Sequence, residues 1–520
     1  MRKFCRFGQF VAGLGALVAV HAAPSAHAQS ASTPTAAQSD DLFRAAAYAG
    51  RFAEGARALE GKLIANPDDA QAVLGLGALK AFDAIAQFQR ALYARTGTLA
   101  SAPGLETFRR NALGQPGRSV LSLVVPVNPD ATPMTYAALR EILTDFVMRL
   151  EAAEKVLAQV ADRDVKLVVQ PGRVAIDLDS NGTIDAQERI FLSFLGRVSA
   201  EQRTAFITSE LALDATDASW MRGYTNLIMG TVELLLAFDF SPTYEAAGHL
   251  LFGEDATAFG LELKRDARFG RSQAAIAAEL ASVKKRLDDA QRRARSLVVL
   301  NALTARLTEL VKRDAPAADR EELLERIAEE RARRKTAQRE VRQLQQQRRA
   351  LQRENSGQAD VGFFDLVAAV HSLNWRVADR VRLESARRRL LRALAINTTT
   401  WRLARAERDD DREFLPNAKQ TAPFGVAPVT DDIIDGWLAT TALMTDVLEG
   451  RRLIPHPRFQ RGINVKRLLE TATRIDFIAI ASGHALVPYL DSGPVITQRE
   501  WHTRVAPFGQ DFPQFAIWFN

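Results

Sequence analysis

The amino-acid sequence predicts a mainly α, multidomain protein with a helical-hairpin coiled coil and a few short β-strands. Three observations predict it. The chain has 520 residues and is 47% hydrophobic, which allows several cores rather than one. Apolar residues recur at helical spacing over most of its length. Two stretches between residues 276 and 351 keep a 4-3 alternation of apolar positions around one proline-containing break, which is coiled-coil periodicity. With 30 Gly, 20 Pro and a single Cys, the composition excludes collagen, a wholly disordered chain and a disulfide-stapled miniprotein.

The first 28 residues read as an export signal. Arg2, Lys3 and Arg6 form a positive start, Phe10 to Val20 is an apolar run, and Ala26-His27-Ala28 is a small-x-small cleavage pattern. The run is interrupted by His21 and Pro24 before it reaches the roughly 20 residues a membrane span needs, and no later stretch replaces it. The expected product is exported and periplasmic, with no membrane span. Removing three cations and no acids changes the formal charge from +6 to +3. It also removes Cys5, leaving no thiol for disulfides, zinc-thiolate sites or nucleophilic catalysis. Gln29 to Asp40, all Ser, Thr, Ala, Gln, Pro and Asp, is expected to be a disordered leader.

From Asp41, Leu42, Phe43, Ala46, Phe52, Leu59 and Leu63 keep helical spacing until Asn66-Pro67-Asp68-Asp69. Gly50, Phe52, Leu59, Leu63 and Pro67 resemble one tetratricopeptide repeat, and Leu76-Gly77 with Ala84, Phe88, Ala91 and Leu92 resemble part of a second. Gly55 stands where that family carries a small alanine, and the second hairpin is about five residues short. A free-standing solenoid needs at least three repeats, so residues 41–99 read as helical hairpins packing on the next domain.

Residues 100–265 read as a middle domain. A loop with one strand near Val120 to Val127 leads to an amphipathic helix over Tyr136 to Val160. Lys166 to Val169 and Val174 to Ile176 are β-rich stretches around the turn Gln170-Pro171-Gly172-Arg173. Residues 186–265 read as mostly helical, with Leu234 to Phe238 inside a buried helix. Within residues 270–355, Ile276, Leu280, Val283 and Leu287 start one coiled-coil arm, and Leu323, Ile327, Ala337, Val341, Leu344 and Leu351 mark the other. Arms of roughly 36 residues, each about 54 Å long, around Asp314 to Asp319 favour an antiparallel hairpin over a kinked parallel dimer. Residues 361–520 read as a mixed C-terminal domain, with helices at 361–408 and 431–450 and buried strands near Phe477 to Ala481 and Phe515 to Phe519. Trp375, Trp401, Trp437, Trp501 and Trp518 are expected to gather in a compact core there.

One stretch carries specific chemistry. Residues 177–188 read Asp-Leu-Asp-Ser-Asn-Gly-Thr-Ile-Asp-Ala-Gln-Glu, the pattern of an EF-hand calcium loop. Calcium takes six to eight oxygen ligands, so a short loop must surround it with oxygens from many directions. Asp177, Asp179 and Asn181 offer side-chain oxygens, and Gly182 permits the sharp bend. Thr183 offers its carbonyl, Asp185 acts directly or through water, and Glu188 closes the shell with both oxygens. Ile184 is the apolar pin. The resemblance to the EF-hand family is partial: a β-rich segment enters the loop, only Ala186 to Leu195 looks helical at its exit, and no second loop of the pattern exists. Sensors use paired loops, so the expected ion, Ca2+, is structural, with affinity in the roughly 10⁻⁴–10⁻³ M class of exported modules.

Other signals are weaker. Arg331 to Arg353 holds nine Lys/Arg and one acid, Glu340. It reads first as a solvated coiled-coil face, and otherwise as contact with an anionic envelope surface or an acidic protein partner; nucleic acid is not expected for an exported chain. Asp409, Asp410, Asp411 and Glu413 read first as a solvated helix terminus, and otherwise as groups for metal binding or acid/base use. The mature chain as a whole resembles a group of exported Gram-negative bacterial proteins with an EF-hand-type loop, through Asp177 to Glu188, Trp220 to Tyr224, Asp409 to Pro416 and Phe515 to Asn520. That resemblance implies location and calcium, without an activity. The expected function is a calcium-binding periplasmic protein with helical and coiled-coil surfaces for a protein partner in the envelope. The alternative is an envelope hydrolase whose acid and base are C-terminal carboxylates.

Overall fold

The computed structural model describes residues 34–96, 128, 131–178, 180–184, 188, 207–252, 256–262, 273–295, 298–314, 316–355, 363–413, 415–420 and 429–512. The export signal, the Val120 to Val127 run and the closing Phe515 to Asn520 lie outside them. Among the described residues the protein is mainly α, with short antiparallel strands in small sheets. It divides into two compact units, one spanning residues 34–262 and 363–512 and one spanning 273–355. The segments read as repeat-like, middle and C-terminal domains therefore share one unit.

That unit begins with helices α1 (Pro34–Tyr48) and α2 (Phe52–Ala65), joined through Gly50. The expected leader is thus helical from Pro34 onward. Gly55 of α2 explains the departure from the repeat pattern, because a Cβ there would lie 2.2 Å from Ala46 Cβ and 2.9 Å from Leu79 Cδ1. Helix α3 (Ala70–Tyr93) starts at Asp69, whose Oδ1 accepts from Ala72 N at 2.9 Å. It continues through Leu76 and Gly77 without a break, so one long helix stands where a second hairpin was expected. Phe43, Phe52, Leu59, Leu74 and Leu79 fill the core between these helices.

Helix α4 (Tyr136–Leu157) buries Leu143, Phe146, Val147, Leu150, Ala153 and Leu157, the stripe its periodicity predicts. Strand β1 (Leu167–Val169) pairs antiparallel with β2 (Leu211–Leu213), Leu167 opposite Leu213. A single 3-10 turn, Pro171–Arg173, follows β1 and occupies the predicted turn. Helix α5 (Ala215–Leu236) opens with a capping box in which Asp214 and Asp217 each accept from the other's backbone end of the turn. Leu234 to Phe238 is not wholly helical as expected. The helix stops because the Ala237 carbonyl accepts from Ala378 N and Asp379 N, at 2.8 and 3.0 Å, and Phe238–Asp239 becomes strand β3. Helices α6 (Ser241–Phe252) and α7 (Ala258–Glu262) follow.

The second unit comprises α8 (Gln273–Arg295), α9 (Val298–Lys312) and α10 (Ala317–Asn355). Both α8 and α9 pack on α10, as an antiparallel hairpin requires. Val283, Leu287, Ala290, Leu344 and Leu351 form its seam, and Arg293 pairs with Glu340 at 3.0 Å. The first arm is helical over Gln273–Arg295 and Val298–Lys312, and residues 296–297 lie outside the described residues. Arg334 Nε of α10 donates to the Ala294 carbonyl of α8 at 2.9 Å and adds a polar tie between the arms.

The first unit resumes with α11 (Phe363–His371), β4 (Asn374–Val377) and α12 (Arg380–Ala406). The expected helix over 361–408 is therefore split by a strand. β4 is central in a three-stranded sheet, pairing with β3 and with β6 below. Then come α13 (Asp431–Leu448), β5 (Gly462–Ile463), α14 (Val465–Thr471), β6 (Arg474–Asp476), α15 (Phe477–Ala481), β7 (Leu490–Asp491) and α16 (Gln498–Val505). β5 and β7 pair antiparallel. Phe477 to Ala481 is not the expected buried strand. Asp476 Oδ1 accepts from Ala479 N at 2.8 Å and starts a short helix on which Ile478 is 51% exposed.

Helix α12 runs along α5, which packs on α4, which packs on α3. Carboxylates and guanidinium groups tie these layers: Arg389 meets Glu151 at 2.9 Å and Glu233 at 3.3 Å, and Arg392 meets Glu154 at 2.9 Å. The tryptophans do not share one core. Trp401 and Trp437 pack together, Trp375 belongs to the β3–β4–β6 sheet, and Trp501 packs near Leu443 and Val447. Trp518 lies outside the described residues. Among the described residues, no helix is long and apolar enough to cross a membrane.

Candidate metal sites

The twelve-residue loop follows the turn after β1 and is held against α1–α3. Val174, Ala175 and Ile176 are buried, and their backbone is engaged on two sides: Ala175 N donates to Ala47 O at 3.2 Å, and Ile176 N to Glu188 O at 2.7 Å. Arg90 Nε of α3 donates to the Asp177 carbonyl at 2.8 Å. Gly50, with φ +66°, passes so close that a Cβ there would lie 3.2 Å from Asp177 N and 3.6 Å from Ile184 Cδ1. Ile184 is the residue expected to pin the loop, and it faces this helical hairpin.

Inside the loop, Asp177 Oδ1 accepts from Asn181 N at 3.1 Å and Oδ2 from Gly182 N at 2.9 Å. Asn181 Oδ1 accepts from Thr183 N at 2.7 Å. Ser180 and Gly182 take positive φ, +59° and +80°. These contacts bend the segment into a tight turn with the first and third donor side chains curled over its backbone. Glu188 is buried, and its Oε1 accepts from Leu178 N at 2.6 Å, which brings the closing carboxylate back to the loop's start. Of the expected ligands, Asp177 and Asn181 hold side-chain oxygens against the backbone of this turn, Thr183 follows within it, and the Glu188 carboxylate reaches back to it; Asp179 and Asp185 lie outside the described residues. The donors are all oxygens, the set a hard cation such as calcium takes.

A second carboxylate cluster was not legible as such in the sequence. Asp214, the cap of α5, lies beside Glu407 and Glu413, which follow α12. One carboxylate oxygen from each falls within 4.8 Å of the others. Asp409, Asp411 and Glu413 form an overlapping triad of the same span. The chain after α12 is fixed by Asn417, whose Nδ2 donates to Ala404 O at 2.9 Å and Glu407 O at 3.3 Å. Glu413 sits beside β2, in a parallel bridge with Ala212. Glu407 accepts from Thr216 Oγ1 and from Gln420 Nε2, the latter at 3.0 Å, and Gln420 Nε2 also reaches Asp409 Oδ1 at 3.0 Å. Lys166 pairs with Asp411.

The acidic run after α12 is therefore not the solvated terminus expected: Asp409 and Asp410 are exposed, but Glu413 is 1% exposed. Burial first, and then the negative charges of Asp217, Asp214, Glu407 and Asp409, push its carboxyl up to about 10. Burial, with Asp214 next, pushes Glu407 up to about 8. Asp217, behind Asp214, is raised well above its ordinary value, chiefly by burial.

Scans against protein-family models, curated proteins and solved structures each return no match. The reading of function rests on the residues.

Proposed function

We propose that this chain is an exported, periplasmic calcium-binding protein in which the ion is structural, and that its helical and coiled-coil surfaces serve contact with a protein partner in the envelope. The observation that carries the reading is the register of donors. Asp177, Asp179, Asn181, Gly182, Thr183, Asp185 and Glu188 fall at the positions an EF-hand loop uses, and the side-chain oxygens of Asp177, Asn181 and Glu188 lying against one turn support that reading.

What the loop touches supports a structural role. It is bound through Arg90, Ala47 and Gly50 to the hairpin α1–α2 and to α3, so an ion fixing the loop also fixes that contact. No second loop of the pattern stands in the sequence to form the paired arrangement of a sensor. The exposed arginines of α10, such as Arg333, supply a surface for an acidic partner or an anionic envelope surface.

The test is a thermal melt of the full chain, stripped of metal and then titrated with calcium. Calcium at about 100 times Kd stabilises a folded state by about 2.7 kcal/mol. The expected outcome is a calcium-dependent rise in Tm that Glu188→Ala abolishes. An unchanged Tm over the millimolar range removes the structural role.

A further inference from the structure

The buried carboxylates between α5 and α12 form a second, separate arrangement. Acidic residues often cluster on surfaces without binding anything. Glu413 is different. Its side chain is 1% exposed, and neither carboxylate oxygen has a hydrogen-bond partner among the described residues. Asp217, from a different element, is 2% exposed and leaves its Oδ1 equally without one. A buried carboxylate with no donor around it is costly, several kcal/mol for an uncompensated charge, and native folds compensate it with a cation or a proton.

We propose that Asp214, Glu407 and Glu413 hold a divalent, oxygen-seeking cation of the calcium class, with Asp409 and Asp411 closing the site on its exposed side. The donor set contains no histidine and no cysteine, which disfavours zinc, copper and other softer metals. Two oxygens on opposite sides of one calcium ion, at about 2.4 Å each, lie about 4.8 Å apart. The oxygens of Asp214, Glu407 and Glu413 fall within that span, and so do those of Asp409, Asp411 and Glu413. Both oxygens of Glu413 remain available to the ion, and Glu413 is common to the two triads, which places it at the centre.

The surrounding groups orient the donors without neutralising them. Thr216 and Gln420 hold Glu407, backbone N–H groups of Thr216 and Asp217 hold Asp214, and Gln420 also steadies Asp409. The only cation that the described residues pair with these five carboxylates is Lys166, on Asp411 at the outer edge. Two regions distant in sequence meet here: the junction of β2 with the start of α5, and the chain leaving α12. A bound ion would therefore clamp α12 to α5 at one end of their long contact. The site shares no residue with the loop at Asp177 to Glu188.

The experiment measures calcium stoichiometry and affinity by calorimetry on the metal-stripped full chain, as wild type, Glu188→Gln, Glu413→Gln and the double variant. The expected result is that Glu188→Gln still binds one equivalent and that adding Glu413→Gln removes it. Retention of that equivalent in the double variant, or no binding by Glu188→Gln, overturns the site; the second outcome means that the buried acids are held by protons alone. Failure of the loop reading is separate and visible, because wild type and Glu188→Gln would then bind the same number of ions. Should Glu413→Gln not fold, the exposed Asp409 decides: in the Glu188→Gln background, Asp409→Asn should weaken the remaining site about tenfold. Asp410→Asn, one residue away but outside both triads, should leave it unchanged. Equal behaviour of the two variants overturns the proposal.

Discussion

Glu188 and Leu178 join the two ends of the twelve-residue loop: the carboxylate Oε1 of Glu188 accepts the Leu178 N–H at 2.6 Å. The Glu188 carbonyl accepts from Ile176 N at 2.7 Å, so backbone and side chain both close the loop. The charge of Glu188 and its hydrogen bond are then separable. Glu188→Gln keeps an acceptor for Leu178 and should melt close to wild type without metal, yet lose the calcium response. Glu188→Ala leaves a partly buried N–H unpaired, a cost of about 1–3 kcal/mol, and should melt lower than Glu188→Gln even in chelator. Melting curves of the three proteins with and without calcium read both effects. Identical metal-free curves for the two variants would show that this hydrogen bond contributes nothing.

Gly50 is expected to couple the α1–α2 hairpin to the loop. At φ +66° a side chain is strained, by about 1–2 kcal/mol, and a methyl would come 3.2 Å from both Ala175 O and Asp177 N. Gly50→Ala should therefore lower Tm and also weaken calcium binding, although Gly50 offers no ligand. Gly61, where a Cβ meets nothing within 4 Å, supplies the control: Gly61→Ala should do neither. Calcium titrations of the two variants compare them directly.

The elements that sequence periodicity located are those whose partners are near in the chain or whose pattern is long. The coiled coil announced itself through repeated apolar positions, and α4 and α13 through a single stripe. The donor loop was legible because all its positions are consecutive. The β3–β4–β6 sheet was not: Phe238 pairs with Val377 and Trp375 with Ile475, across strands of two to four residues with no connecting turn to mark them. Phe477 to Ala481 has β-type composition, but a single cap at Asp476 made it a helix. The carboxylate cluster failed for the same reason as the sheet. Asp409 to Glu413 looks like a solvated run until Asp214 and Asp217, contributed by α5, are placed against it.

Asp40 should give the protein a pH dependence of its own. It is buried on α1, with Arg44, Asp41, Asp69 and Lys62 as its charged neighbours and Gln71 Nε2 donating to Oδ1 at 3.2 Å. Burial is the leading cause that raises its carboxyl from 3.8 to about 6, with Arg44 opposing. The folded state then keeps a proton that the unfolded chain has released, so this group's contribution to stability falls as pH rises from about 4 to about 6. Asp40→Asn removes that dependence and retains an acceptor for Gln71. The variant should be more stable than wild type by about 1–3 kcal/mol at pH 7.5, with the difference vanishing below about pH 4. Denaturant melts at the two pH values measure it, and a variant that gains nothing at pH 7.5 refutes the assignment.

The hairpin should depend on very few side chains. α10 carries few apolar residues, and its Leu344 and Leu351 meet Val283, Leu287 and Ala290 of α8. Each buried leucine contributes about 1.5–3 kcal/mol by leaving water. Leu323, Ile327 and Ala337 of α10 are buried as well, whereas exposed ion pairs such as Arg333–Glu329 contribute less than about 1 kcal/mol each. Leu344→Asp both deletes a seam residue that is 2% exposed and places a charge among the apolar side chains of Val283, Leu287 and Leu351. It should lower the helical circular-dichroism signal at moderate temperature and open residues 273–355 to limited proteolysis. Val311→Asp, on the same unit but at a side chain 55% exposed, should change neither. Equal protease resistance of both variants would mean that the seam does not hold the arms together.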